Sequence, residues 1–216
     1  MSKKIHNAVD RLNKILPLHA QQQSLTDENA NLYQQLLRSF VDKGRILTRN
    51  EIARLVGNVD ITIDELAARE LIVCDSNNDP VGAYPFTMQQ RAHRILVNGF
   101  TVHAMCALDA LAISPMFNYP TEIYSQCHVS KKPIHIIQQD SVLQNIVEQN
   151  DISFAVNWNA ASKGGCCADS LCMEMIFIYG TDISEKWQAQ DSNNRELFTL
   201  QEAVGFATDF FRPLMV

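Results

Sequence analysis

The chain has 216 residues, of which 46% are hydrophobic and 19% charged, an ordinary globular balance that allows a sizeable core. Its formal net charge of -6 argues against the broad basic surface of a nucleic-acid-binding protein. No uninterrupted run of about 18 apolar residues is present, which excludes a membrane span. We therefore expect neither a nucleic-acid partner nor a membrane partner.

The N-terminal residues 1–16 carry charged and polar side chains every few positions, so they predict an amphipathic helix rather than a signal peptide. This pattern predicts a cytoplasmic protein, in which thiols stay reduced and a disulfide framework is not expected. Zinc knuckles need CxxC pairs, and the sequence has none. The unexplained thiols are Cys74, Cys106, Cys127, Cys166, Cys167 and Cys172.

Capping residues predict a series of helices in the first part of the chain. Thr26 is a good N-cap for a helix that should end at Gly44, and Thr48 is a good N-cap for a short helix after it. Another short helix is predicted near residues 62–69, and a hairpin over residues 71–88. This order predicts a winged-helix-like helical module.

We assign this N-terminal module to residues 1–85. A winged-helix module can bind DNA or serve only as a structural domain. The predicted second helix contains Asp64 and Glu65, with Glu70 just after it, and these carboxylates would repel phosphate. The sequence therefore favours a structural role over a DNA-binding regulator.

The second part, residues 86–216, predicts an α+β catalytic core with an antiparallel sheet and flanking helices. Residues 100–113 are expected to form a helix that Ser114-Pro115 stops, and residues 199–215 a closing helix. Alternating short segments predict strands at residues 121–129, 132–138, 152–158 and 172–180.

Cys106 and Asp109 are three positions apart, which places them on one face of the predicted helix. Burial would raise the pKa of the aspartate, so that it could hold a proton and deliver it to a leaving group. A thiolate is the natural ligand of a soft metal. His103, one turn earlier, could tune this thiol, although the sequence favours a solvent-exposed histidine. The spacing alone favours the alternative of a structural cysteine beside a surface aspartate.

A second cysteine cluster lies farther along the chain. Cys172 is expected to open a strand, and the adjacent Cys166 and Cys167 lie in the preceding loop after two glycines. Linear binding of a soft metal ion needs thiols from two segments, and either Cys172 or the doublet could supply the second one. A doublet without any role is the other possibility.

Four segments resemble, in order, segments of the organomercurial (alkylmercury) lyase family. The resemblance begins with HAMCALDALAI and continues through a cysteine-containing strand, a segment with a tryptophan at the family's spacing, and the closing helix. A short motif such as CALD is weak by itself, whereas four ordered matches are specific. The segments are residues 103–113, 124–136, 170–187 and 201–211.

The resemblance implies an enzyme that breaks carbon–mercury bonds by protonolysis and releases a hydrocarbon and Hg(II). Cys106 matches the family's first catalytic cysteine, Asp109 its catalytic aspartate and Cys172 its second catalytic cysteine, and all three are expected to contact the metal. Cys127 matches a cysteine with a structural role. Some members have a cysteine doublet at the second catalytic position, so residues 166–167 stay an alternative there.

The family resemblance also implies what the protein works with. The expected partners are a small organomercurial substrate, low-molecular-mass thiols and a mercuric reductase that takes up the product. No cofactor is expected, because mercury is substrate and product. Two other functions stay open: a non-catalytic soft-metal trafficking protein, and a winged-helix metal-responsive regulator.

Overall fold

The computed structural model describes residues 2–144, 151–163 and 166–215. Its helices are α1 (Lys3–Ile15), α2 (Leu18–Gln23), α3 (Asp27–Lys43), α4 (Arg49–Ile52), α5 (Val59–Ala68), α6 (Ala107–Phe117), α7 (Thr181–Ala189) and α8 (Leu200–Phe211). Its strands are β1 (Ile72–Cys74), β2 (Pro80–Ala83), β3 (Phe86–Thr87), β4 (His93–Val97), β5 (Phe100–Ala104), β6 (Pro120–Gln126), β7 (Pro133–Gln139), β8 (Val142–Leu143), β9 (Ile152–Asn157), β10 (Met175–Tyr179) and β11 (Arg195–Thr199).

The strands form two antiparallel sheets within the described ranges. The larger sheet has the order β1-β2-β3-β5-β4-β6-β7-β8, and the smaller one has the order β10-β9-β11. Helices flank both sheets, which confirms the predicted α+β class. The β1–β2 hairpin belongs to the same sheet as β4 to β7. The winged-helix-like character of the N-terminal module and the domain boundary after residue 85 stay predictions.

The predicted helix ends of the N-terminal part are confirmed. The Thr26 hydroxyl accepts a hydrogen bond from the Asn29 backbone N–H, and Gly44 ends α3 with a φ of 71°. Thr48 and Glu51 form a reciprocal capping box at the start of α4. These capping residues pair with backbone groups that a helix terminus leaves without partners. Because such pairing is local, the helix ends can be predicted from the sequence.

The prediction of a helix over residues 100–113 is wrong in its first part, where the chain forms β5. Asn98 and Gly99 have φ values of 48° and 80°, and they join β4 to β5 in a tight hairpin. Two residues with positive φ are typical of the turn that best matches strand twist. His103 therefore lies on a strand, with its ring Nδ1 3.1 Å from the Arg91 carbonyl oxygen, and not one helical turn before Cys106.

Helix α6 also continues through Ser114 and Pro115, where the sequence predicts a stop. A proline nitrogen cannot donate to the carbonyl four residues earlier, which here belongs to Leu111. The Gln138 side-chain amide on β7 donates to this carbonyl instead, at 2.9 Å. A long-range hydrogen bond thus replaces the one that the proline removes, and α6 ends at Asn118 in the left-handed region.

Helix α6 is the central element of the core, and its residues from Ala107 to Met116 are all buried. It packs against the large sheet, against β10 and against α8, and α1 packs on α8. A helix that is apolar on every side is typical of such a position. Whatever stands at the N-terminus of α6 is therefore enclosed by the rest of the protein.

Gly82→Ala should lower the free energy of unfolding by about 1–3 kcal/mol, because an added Cβ overpacks the interior. This atom would lie 2.7 Å from the Met105 Cε and 2.9 Å from the Phe86 carbonyl oxygen. Gly57→Ala is the matched control, since nothing lies within 4 Å of its added Cβ. Urea denaturation measures both variants, and equal stabilities would contradict the expectation.

Candidate active site

Cys106 is the N-cap of α6, so it precedes the helix instead of lying within it as predicted. Its Sγ accepts a hydrogen bond from the Asp109 backbone N–H at 3.5 Å. A helix N-terminus usually stabilises a thiolate. Here burial is the larger effect and raises the pKa of the Cys106 thiol to about 12, so the resting thiol holds its proton.

Asp109 lies in the first turn of α6 and is almost completely buried. Burial raises the pKa of its carboxyl to about 7, and the hydrogen bonds with Cys106 oppose this shift only in part. Its Oδ2 is buried and has no hydrogen-bond partner among the described residues. A buried carboxyl oxygen without a partner is available to a guest molecule.

Cys172 does not open a strand, which corrects the sequence prediction. It lies in a 3₁₀ turn, Leu171–Glu174, and β10 begins after this turn at Met175. Hydrogen bonds to the Cys106 and Cys167 thiols, followed by burial, raise the pKa of Cys172 well above its usual range.

The structure brings together the three residues that the sequence singled out. One ligand atom from each of Cys106, Asp109 and Cys172 lies within 4.8 Å of the others, and all three residues are buried. We call these residues the catalytic trio, after the roles that the family resemblance implies. Two soft sulphur ligands and one proton-holding carboxyl around a single point can bind a soft metal and protonate a group attached to it.

The cysteine doublet lies beside the catalytic trio. The Cys167 Sγ is 3.9 Å from the Cys172 Sγ, and the Cys166 Sγ is 3.8 Å from the Tyr84 hydroxyl. Cys167 is buried, whereas Cys166 is half-buried. The doublet is therefore close to the trio, although it is Cys172 that groups with Cys106 and Asp109.

Cys127 follows β6 and is separate from this cluster. Its Sγ accepts hydrogen bonds from the backbone N–H groups of Ser130 and Tyr179, both at 3.3 Å. These bonds join the turn after β6 to the end of β10. This arrangement suits the structural role that the family resemblance implies.

Two residues of the site did not emerge from the sequence. The Met175 Sδ is 3.8 Å from the Cys106 Sγ, and Tyr84 lines the same cavity as the trio. Burial, followed by the neighbouring cysteines, raises the pKa of Tyr84. Tyr84 lies in residues 82–88, far from the cysteines in the sequence, and only the folded structure places it in the site.

The cavity at the catalytic trio has a volume of about 10 Å³. That is about the least space that holds one water molecule. The apolar walls are Leu12 of α1, Leu16 just after that helix, and Phe210 and Phe211 of α8. The site is therefore closed and weakly polar, which explains the raised pKa values of the groups inside it.

A larger cavity of about 140 Å³ also reaches Cys172. Met105 and Met173 contribute thioethers to its lining, and Arg91 and Lys131 contribute positive charge. Soft sulphur atoms and cationic groups at the same opening suit a soft metal ion that arrives on an anionic carrier.

Among the helices of the described residues, none has the length and apolar character that a membrane span requires.

The fold is similar to a solved structure described as the mercury-bound form of MerB2, with a TM-score of 0.74 and 19% identity. The similarity covers 94% of this chain and 98% of that one. The comparison with curated proteins gives no match.

A family model described as alkylmercury lyase matches residues 86–212, which is more than half of the chain. This range contains α6 and the turn that carries Cys172. The chain therefore belongs to the alkylmercury lyase family of enzymes.

Proposed function

We propose that the catalytic trio cleaves the carbon–mercury bond of small organomercurials by protonolysis, giving a hydrocarbon and Hg(II). The observation that carries the proposal is the grouping of two thiols and one carboxyl within 4.8 Å in a buried site. Thiols supply the ligands that mercury prefers, and the carboxyl supplies a proton.

The substrate arrives as a complex with a low-molecular-mass thiol and reaches Cys172 through the larger cavity. The Cys172 thiol replaces the carrier on mercury, and its proton goes to the departing carrier thiolate. The count of mercury–sulphur bonds stays constant in this exchange. A protonated resting thiol therefore serves the reaction, because the leaving thiolate needs a proton.

Cleavage follows when the Cys106 thiol adds to the mercury. The Asp109 proton moves to the carbon, the carbon–mercury bond breaks, and the Cys106 proton replaces the one that Asp109 gave up. The sum is one hydrocarbon and one Hg(II) held by Cys106 and Cys172. The fixed proximity of the two thiols and the carboxyl lowers the activation barrier for cleavage, since the reacting groups are already in position.

The proposed reaction needs no resident cofactor, because mercury enters as substrate and leaves as product. Low-molecular-mass thiols accept the Hg(II), and a mercuric reductase is a further acceptor. The soft character of both sulphur ligands makes exchange onto other thiols the natural route. Release of the metal without an incoming thiol would leave a charged ion in an apolar pocket, which is costly.

Cys106→Ser and Cys172→Ser should each lower methane release from methylmercury by more than about 100-fold, because each removes one ligand of a set that acts as a unit. The measurement is headspace methane with excess thiol. Cys74→Ser is the control, since Cys74 lines neither cavity at the trio and should keep the wild-type rate.

Two results would contradict the proposal. A folded wild-type protein that binds mercury and releases no methane would be a non-catalytic metal-binding protein. A Cys172→Ser variant that keeps the wild-type rate would remove Cys172 from the reaction.

Asp109→Asn should stabilise the mercury-free protein relative to wild type as the pH rises from about 4 to about 7. In this window the unfolded Asp109 releases its proton while the folded one keeps it, so wild-type stability falls and the variant is unaffected. The difference in unfolding free energy should level off at about 4 kcal/mol above pH 7.

Denaturant unfolding at a series of pH values measures this difference, and the other titrating groups cancel between the two proteins. The opposite slope, or a difference that does not change with pH, would mean that Asp109 is ionised in the resting site.

A further inference from the structure

Cys167 lies in the site but has no role in the proposed cleavage reaction. It lines the same closed cavity as the catalytic trio, and its Sγ is 3.9 Å from the Cys172 Sγ. The next cysteine, Cys166, is half-buried, whereas Cys167 and Cys172 are buried. Thiols thus continue from the trio to a position that solvent can reach.

We infer that Cys167 is a third mercury-binding thiol, which takes the Hg(II) product from the trio and passes it to Cys166 for release to external thiols. This inference rests on the proposed function, since the trio must hold Hg(II) after cleavage. It assigns the doublet to product transfer, in addition to the two ligands that cleavage needs.

The loop that carries the doublet is held against the rest of the protein. The Cys167 backbone N–H donates to the Glu70 carboxylate at 3.2 Å, and Arg91 pairs with Asp169 at 2.9 Å. The Ser170 hydroxyl donates to the Cys166 carbonyl at 3.0 Å. Specific contacts on both sides of Cys167 therefore hold its sulphur beside Cys172.

The closed cavity gives such a thiol a function. On the Cys106 side of bound mercury, the space of about 10 Å³ has no room for a carrier thiol. The larger cavity reaches Cys172 but is lined by neither Cys106 nor Asp109. Exchange between thiolates needs the incoming sulphur next to the metal before the outgoing one departs. Cys167 already stands there, so the product can move without a free ion in apolar surroundings.

The transfer is a balanced ligand exchange. The Cys167 sulphur bonds to mercury, the bond from mercury to Cys106 breaks, and the Cys167 proton goes to the Cys106 sulphur. The Cys166 thiol then repeats the exchange and displaces Cys172. Mercury keeps two sulphur ligands and its oxidation state throughout, and the trio regains its thiol protons for the next substrate.

The test uses the full chain loaded with one equivalent of inorganic Hg(II), and measures the rate of mercury transfer to excess dimercaptosuccinate. We expect Cys167→Ser and Cys167→Ala to slow transfer about 10- to 100-fold, through the loss of a preplaced thiol. The alanine variant introduces no hydroxyl into the buried position. Cys74→Ser is the matched control and should transfer mercury at the wild-type rate.

Transfer from both Cys167 variants within twofold of the wild-type rate would overturn the inference, and so would faster transfer. Circular dichroism and a bound-mercury ratio of one establish that a variant is folded and loaded. Inorganic mercury has no carbon–mercury bond, so this result does not depend on cleavage. If the wild-type protein releases no methane from methylmercury but the Cys167 variants still transfer mercury slowly, Cys167 keeps its role in exchange and the lyase reaction is ruled out.

Discussion

The fold buries the Asp109 carboxyl in an apolar interior, and the chemistry of the site follows from this burial. A charged carboxylate in an apolar interior is costly, so the group keeps its proton near neutral pH. The fold creates this environment by burying α6 on all sides and covering its N-terminus with apolar residues of α1 and α8. An exposed aspartate at the same position would be ionised and would have no proton to give.

The same burial determines the state of the thiols. Cys106 stands at a helix N-terminus that would favour its thiolate, but desolvation is stronger and keeps it protonated. The resting site is therefore a neutral group of proton donors. In the proposed reaction, each bond that mercury makes to sulphur releases a proton, and the enclosed position of Asp109 directs one of them to the carbon. Metal binding and proton delivery are thus linked through one apolar pocket.

Local signals in the sequence predicted many of the helices and strands. The features that were not predicted depend on contacts between residues far apart in the sequence. Thr48 predicted its helix because a cap needs only near neighbours. Asn98-Gly99 carried a hairpin signal that the apolar residues after it obscured. No local rule could show that Gln138 replaces the bond lost at Pro115. The family resemblance pointed to the trio, whereas the short distance from Cys167 to Cys172 depends on a loop that remote partners hold in place.

In the proposed reaction, Asp109 gives the proton while sulphur holds the metal. Carbon-13 NMR of labelled methylmercury bound to Asp109→Asn, with the wild-type protein measured beside it, tests these two roles. The variant should bind the label, whose methyl signal keeps its coupling to mercury, while the wild-type protein converts the label to labelled methane. Conversion by the variant at the wild-type rate would mean that Asp109 is not the proton donor.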